Sequence, residues 1–384
     1  MKKILFVVDE KKMGGVSVLL SDILNNINLK NKEIDVMVLH NSGDYLDDLP
    51  KGINLIYGTS FFDVIDLTFK EILKSKNLSK IYKKFKLVFL MKTGLIKNKI
   101  IKERKKCINK KYDVEVAFKD GFCAIFTAYG DSKKKYHWLH TDYSMYDCTA
   151  NYKKLFIDVF SKFDNIIAIS KSVAKKFNEK YNFKKMKVIY NLINTEKIIQ
   201  KAEEFEVKNN KEKINFISVG RFHNMKGYDR LIDVFARLNK EVGLDNVTLR
   251  LIGSGPDFDL VKNKIKENKL EKIIVLEGLK KNPFPYVKSS DVFLMCSRYE
   301  PFGLVILEAM VLNVPVLSTE VASIKEIMDE KYGMIVENTE NGLCNGIKNI
   351  IQDRSILKKY KKELNKYKYP INDIVLMIEE LLDN

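Results

Sequence analysis

The chain has 384 residues, 46% of them hydrophobic and 30% charged, with a formal net charge of +17. Such a length suits two domains, and the apolar share supplies packed cores and excludes intrinsic disorder. Its five cysteines (107, 123, 148, 296 and 344) are odd in number and never spaced C-x-x-C, a pattern that suits reduced thiols and excludes a disulfide framework or a cysteine zinc site.

The first predicted element is the strand ILFVVD. Its apolar run is too short for a signal peptide, and no run in the chain approaches the 18 or so residues of a membrane span. A cytoplasmic location is therefore expected. The strand leads into Lys11-Lys12-Met13-Gly14-Gly15 and a helix pattern, VSVLLSDILNNI. Paired glycines let backbone approach a ligand, and a helix N-terminus favours negative charge, although a plain tight turn reads equally well. The pattern is not G-x-G-x-x-G, and no acidic residue closing a dinucleotide site follows the second strand, which argues against a dehydrogenase.

Further strands are read at IDVMVLH, INLIYG, VEVAFK, KYHWLH, NIIAIS and KVIYN. Between Lys70 and Lys111 stand sixteen Lys and Arg against two Glu, so +14 of the total charge falls in 42 residues. There lysines interleave with Phe, Leu, Val, Met and Ile, as in a basic helix pair that lies on an anionic membrane or in a solvated lysine-rich face. Nucleic acid is not expected as a partner, because no pattern organises base or phosphate contacts. The polar stretch INTEKIIQKAEEFEVKNNKEK marks a hinge at 193–212.

The second half repeats the theme with INFISVG, VTLRLIG, IIVLEG, VFLMCS, PVLST and GMIVEN separated by amphipathic segments. Strands alternating with helices predict an α/β protein with two Rossmann-like domains and parallel sheets facing across a cleft. The expected division is an N-terminal domain over 1–192 with the basic helical insert at about 70–111, a C-terminal domain over 213–368, and a final helix over 369–384 packing back on the N-terminal domain.

Three motifs sit where strands of the second half end. Gly220-Arg221 with Lys226-Gly227 delivers two cations to the sheet edge, a fork and a point charge suited to a diphosphate. Lys226 alone reads as well as an ordinary surface cation. Gly253-Ser254-Gly255-Pro256 is a turn that a flat base or ribose can approach, and Asp257 is expected to cap the helix that follows. Ser297-Arg-Tyr-Glu300-Pro-Phe302-Gly303-Leu304-Val-Ile-Leu-Glu308 places one carboxylate before a Pro-Phe-Gly turn and another inside an apolar helix. Eight positions turn them about 80° apart on a helix, so they are not partners of each other. A carboxylate at Glu308 needs ribose hydroxyls or a structural cation to satisfy it. The amides of Phe302, Gly303 and Leu304 open the helix and suit a phosphate or sugar hydroxyl.

The E-P-F-G-x-x-x-x-E run resembles the E-x7-E signature of retaining glycosyltransferases of family 4, which have the GT-B fold. The Gly14-Gly15 loop, the G-R-x-x-x-x-K-G run and the G-x-G-P turn follow in the family's order. Val188-Ile-Tyr-Asn191 resembles its V-I-P-N-G, with Tyr190 and Leu192 in place of Pro and Gly. The resemblance implies that Arg221 and Lys226 bind the donor diphosphate, Glu300 the transferred sugar and Glu308 the ribose. It also implies that the 302–304 amides hold sugar and phosphate, and that Gly14, Gly15 and Gly253 line the donor site. His140, in His137-Trp-Leu-His140-Thr-Asp142, matches the histidine that family members place near the reacting sugar, with a core or surface histidine as the alternative. At Val321-Ala-Ser-Ile-Lys-Glu326 the usual glycines and proline are missing.

The implied reaction moves a hexose or N-acetylhexosamine from a nucleoside diphosphate sugar, UDP-linked by expectation, to a glycan hydroxyl with retention. No metal and no cofactor are expected. The basic segment suggests a lipid-linked acceptor at the inner membrane face, as in capsule or cell-surface polysaccharide synthesis. Transfer to a protein or soluble acceptor, and a membrane- or nucleic-acid-binding protein on a degenerate GT-B fold, stand as alternatives. A phosphorylase-like enzyme would need a pyridoxal phosphate lysine, and the sequence offers no such site.

Overall fold

In the computed structural model, the described residues are 1–9, 15–40, 49–65, 67–144 and 149–383. Contacts divide the chain into two compact units, Met1–Leu192 with Ile371–Asn384, and Ile193–Pro370.

Each of the thirteen apolar runs becomes a strand. In the first unit these are β1 (Lys2–Val8), β2 (Lys32–Val38), β3 (Asn54–Tyr57), β4 (Val114–Ala117), β5 (Lys134–Leu139), β6 (Asn165–Ala168) and β7 (Met186–Val188). In the second they are β8 (Ile214–Val219), β9 (Val247–Ile252), β10 (Ile274–Gly278), β11 (Val292–Met295), β12 (Val316–Thr319) and β13 (Gly333–Val336). The runs are continuous rather than alternating because helices cover both faces of a parallel sheet. Val114–Ala117 and Val292–Met295, for instance, are buried at every position.

The first sheet has the order β3-β2-β1-β4-β5-β6-β7 and the second β10-β9-β8-β11-β12-β13, with parallel pairing. Both orders reverse beside their first strand, between β1 and β4 and between β8 and β11. Open α/β sheets bind ligands at the carboxyl edge of such a switch point. The fold is of the GT-B type, two Rossmann-like units with parallel sheets.

Three local results differ from the sequence reading. The basic insert holds the helix pair, Leu78–Thr93 and Ile96–Cys107, and adds before it a short helix, Phe69–Lys74, that the sequence reading did not give. It starts on a capping box in which Thr68 and Glu71 satisfy each other's backbone N–H groups. The polar stretch read as a hinge contains the helix Thr195–Ala202, capped by Asn194. Asp257 stands at the start of the helix Phe258–Glu267, yet its side chain makes no capping hydrogen bond. The terminal helix Ile371–Asp383 buries Ile374, Ile378, Leu381 and Leu382, and Lys32 meets Asp383 at 3.0 Å.

Candidate active site

In the second unit the chain after β8 and the chain after β11 meet at the switch point. After β8, Gly220 leads to the exposed Arg221 and then to a short turn, Asn224–Lys226. After β11, Arg298 N donates to Met225 O at 2.8 Å, which ties the two loops together by backbone. The guanidinium of Arg298 grips Asp229 with two bonds of 2.6 and 2.7 Å. Burial alone would raise the Asp229 carboxyl, but Arg298 holds it below its ordinary value.

This docking brings Lys226 to Glu300, and the two form an ion pair. Glu300 is buried and Lys226 half-buried. The backbone beside them is pinned by Ser323, fully buried, whose hydroxyl donates to Glu300 O at 3.2 Å and Phe302 O at 3.1 Å. Thus the Val321–Glu326 segment, which lacks the family's glycines, supports the Glu300 turn through a serine. Gly303 has φ +97°, a conformation unfavourable to other residues, and begins the helix Leu304–Val311 without a side-chain cap. Leu304 is the first residue of that helix, Phe302 is buried, and Glu308 stands half-buried one turn in.

Gly253 sits on the neighbouring loop after β9 with φ +142°. A Cβ there would lie 1.9 Å from Gly220 O, so only glycine lets these two loops lie together. Phe222 N donates to Ser254 O at 2.9 Å and completes the contact. Cys296, buried at the end of β11, donates its thiol to Lys226 O at 3.1 Å, and burial pushes that thiol up to about 12.

Of the expected donor residues, Arg221, Lys226, Gly253, Glu300, Phe302, Gly303, Leu304 and Glu308 all lie on second-unit loops or the helix that follows β11. Gly15 and His140 belong to the first unit, and Gly14 lies outside the described residues. Gly15 is exposed at the first position of the helix Gly15–Asn26.

In the first unit, His140 follows β5 and stacks edge-on against Phe118, with ring centres 5.0 Å apart. Desolvation lowers its imidazole to about 4 and outweighs the attraction of Asp120. One ring nitrogen bonds the Phe118 backbone, while Nε2 is buried without a protein partner among the described residues. Asp120 also lies 3.4 Å from Nε2 of the fully buried His137 and accepts from Tyr143 OH at 2.9 Å. Burial would raise the Asp120 carboxyl, but His137 and Tyr143 keep it low. Asp142, the residue beyond Thr141, is turned away to accept Ser144 N at 2.7 Å. Sequence reading missed Asp120, and the available signal was register: Ala117 pairs with His137 across β4 and β5, so the strand ends are neighbours.

Residues 199–369 match the family model for Glycosyl transferases group 1. The match lies within the C-terminal unit. The matched region includes the arginine, lysine and two glutamates described above. The chain is 30% identical over 211 residues to the N-acetylgalactosamine-N,N'-diacetylbacillosaminyl-diphospho-undecaprenol 4-alpha-N-acetylgalactosaminyltransferase of Campylobacter jejuni. That match covers 53% of this chain and 55% of the relative. It is 26% identical over 202 residues to the lipopolysaccharide core biosynthesis glycosyltransferase LpsE of Rhizobium meliloti, covering 52% and 57%. The chain spans little more than half the length of either relative. Among solved structures, Anabaena HepE in complex with UDP and glucose superposes with a TM-score of 0.69 at 19% identity, covering all of both chains. Among the described residues, no three His, Cys, Asp or Glu gather as a metal site, and no helix is long and apolar enough to cross a membrane.

Proposed function

We propose that this protein is a retaining glycosyltransferase that moves a hexosyl or N-acetylhexosaminyl group from a nucleoside diphosphate sugar to a hydroxyl of a glycan acceptor. The observation that carries the reading is the gathering of Arg221, Lys226, Glu300 and the start of the helix Leu304–Val311 at one switch point. Two cations and a helix N-terminus supply fixed positive charge where a diphosphate leaves, the largest electrostatic task of the reaction. Glu300 then faces the sugar and Glu308 the ribose. In the step itself the bond from the anomeric carbon to the diphosphate breaks. The acceptor oxygen bonds that carbon on the same face, and its proton passes to the leaving phosphate oxygen. His140, neutral and with Nε2 unprotonated when the other nitrogen donates to Phe118, accepts a hydrogen bond from a sugar or acceptor hydroxyl.

The Campylobacter relative, by its name, acts on a diphospho-undecaprenol-linked glycan, and LpsE serves lipopolysaccharide core synthesis. The HepE structure contains UDP. These support a UDP-sugar donor and a lipid-linked acceptor in cell-surface polysaccharide synthesis at the inner membrane face. Turnover of a panel of nucleotide sugars, read as released nucleoside diphosphate with and without undecaprenyl-diphosphate-linked glycans, tests the reading. Failure of every nucleotide sugar both to turn over and to raise the melting temperature would overturn it.

A further inference from the structure

The helix Leu78–Thr93 has two apolar faces. One buries Leu87 and Met91, which are 2% and 6% exposed. The other carries Leu78, Tyr82, Phe85 and Phe89, exposed by 81%, 66%, 59% and 59%. Their spacing of four, three and four residues places them in a single stripe along the helix. The Phe69 ring of the preceding short helix lies 5.3 Å from Phe85 and widens the stripe. Contiguous exposed apolar side chains of this kind mark an interaction site.

The charge around the stripe is one-sided. Lys86 and Lys92, both exposed, flank it on the same helix, and the Lys86 ammonium lies 5.8 Å from the Tyr82 ring centre. Both carboxylates of the 70–111 segment are already engaged. Glu71 belongs to the Thr68 capping box, and Glu103 is buried between Lys99 and Lys106. Asp63, just upstream, faces Lys83 at 3.7 Å.

We propose that this outer face docks on an anionic lipid bilayer, with the aromatic and leucine side chains in the headgroup–acyl boundary and the lysines among the headgroups. An apolar row bordered by cations is what an interfacial helix requires. Nucleic acid would meet the lysines but leave the leucine and phenylalanines in water. A second copy of the chain would set one strongly cationic segment against another. The proposal is independent of the glycosyl transfer reading, since docking is measured without substrate; the two can fail separately.

The test is flotation of the whole protein with vesicles of phosphatidylglycerol mixed with phosphatidylcholine, and with phosphatidylcholine alone. Wild type is expected to float with the anionic vesicles and stay behind with the neutral ones. Because both side chains are exposed, the double variant Phe85→Ser/Phe89→Ser should keep the wild-type melting temperature while losing about tenfold or more in vesicle affinity. Lys86→Gln/Lys92→Gln should weaken binding to anionic vesicles only. In Phe85→Trp, indole emission should shift to the blue on adding anionic vesicles. Three results would overturn the proposal: wild type unbound to anionic vesicles at low salt, a double variant that floats as well as wild type, or a stripe-dependent dimer that does not float. Binding of single-stranded RNA that the double variant loses, without flotation of wild type, would also overturn it.

Discussion

Lys226 and Glu300 stand 74 residues apart in the sequence and close into an ion pair across the two loops of the switch point. The sequence reading assigns them to different parts of one donor, the diphosphate and the sugar. In the structure each is the other's partner, so on the proposed reading a diphosphate would have to compete with Glu300 for the ammonium. The pair holds both groups in place until then.

The proposed reading makes both side chains necessary for turnover, while the structure makes them unequal in stability. Lys226→Met and Glu300→Gln are each expected to lower kcat by ~100-fold or more, the scale of losing one charge-stabilising group. Lys226→Met leaves a buried carboxylate without its cation and should also cost about 1–3 kcal/mol in urea unfolding. Glu300→Gln removes the charge and should cost less. Near-normal turnover in both variants would remove these residues from the reaction.

A second expectation concerns acid. The Asp229 carboxyl is held below its ordinary value by Arg298. A depressed folded value means that its stabilisation is fully present above the unfolded pKa and is lost as pH falls through the folded one. Because both side chains are partly exposed, Asp229→Asn should lower stability by only about 1 kcal/mol near neutrality. Its stability should also fall less steeply than that of wild type below the ordinary carboxylate pKa. Parallel acid limbs in urea titrations would contradict this.

The loop contact at Gly253 is steric. Gly253→Ala drives a methyl into Gly220 O and should cost roughly 2 kcal/mol or more while displacing the Arg221 loop. Gly243 also has positive φ, +68°, but nothing lies within 4 Å of its added Cβ. Gly243→Ala should therefore cost only about 1 kcal/mol and leave nucleotide affinity unchanged. Equal effects on UDP affinity would sink the steric account.

His140 should remain neutral far below the range of an ordinary imidazole. By proton NMR it is expected to titrate at about 4. A lowered histidine value withdraws stability as pH falls below its unfolded pKa and on through the folded one. The hydroxyl-accepting role proposed for it should thus persist through mildly acidic pH. A titration near 6.5, the unperturbed value, would place the ring in water instead.

The strands and the motifs that follow them were legible because each is local. A parallel strand buried on both faces writes its own apolar run, and Arg221, Lys226 and Glu300 follow such runs directly. What was not legible depends on contact across the sheet. The Arg298–Asp229 fork, the Ser323 bonds under Glu300, and Asp120 beside His137 join residues from different segments of the chain, and spacing along the chain carries no record of them. The helix Thr195–Ala202 was hidden for another reason. Its apolar side is only Ile198, Ile199 and Ala202, too few to stand out in a charged stretch.

The helix Ile371–Asp383 gives the molecule an order of assembly. It belongs to the first unit, although the whole of Ile193–Pro370 is threaded before it. As the chain leaves the ribosome, the second unit has all its residues in hand while the first still waits for the helix that carries Leu381 and Leu382. The half that is translated first is the half that finishes last.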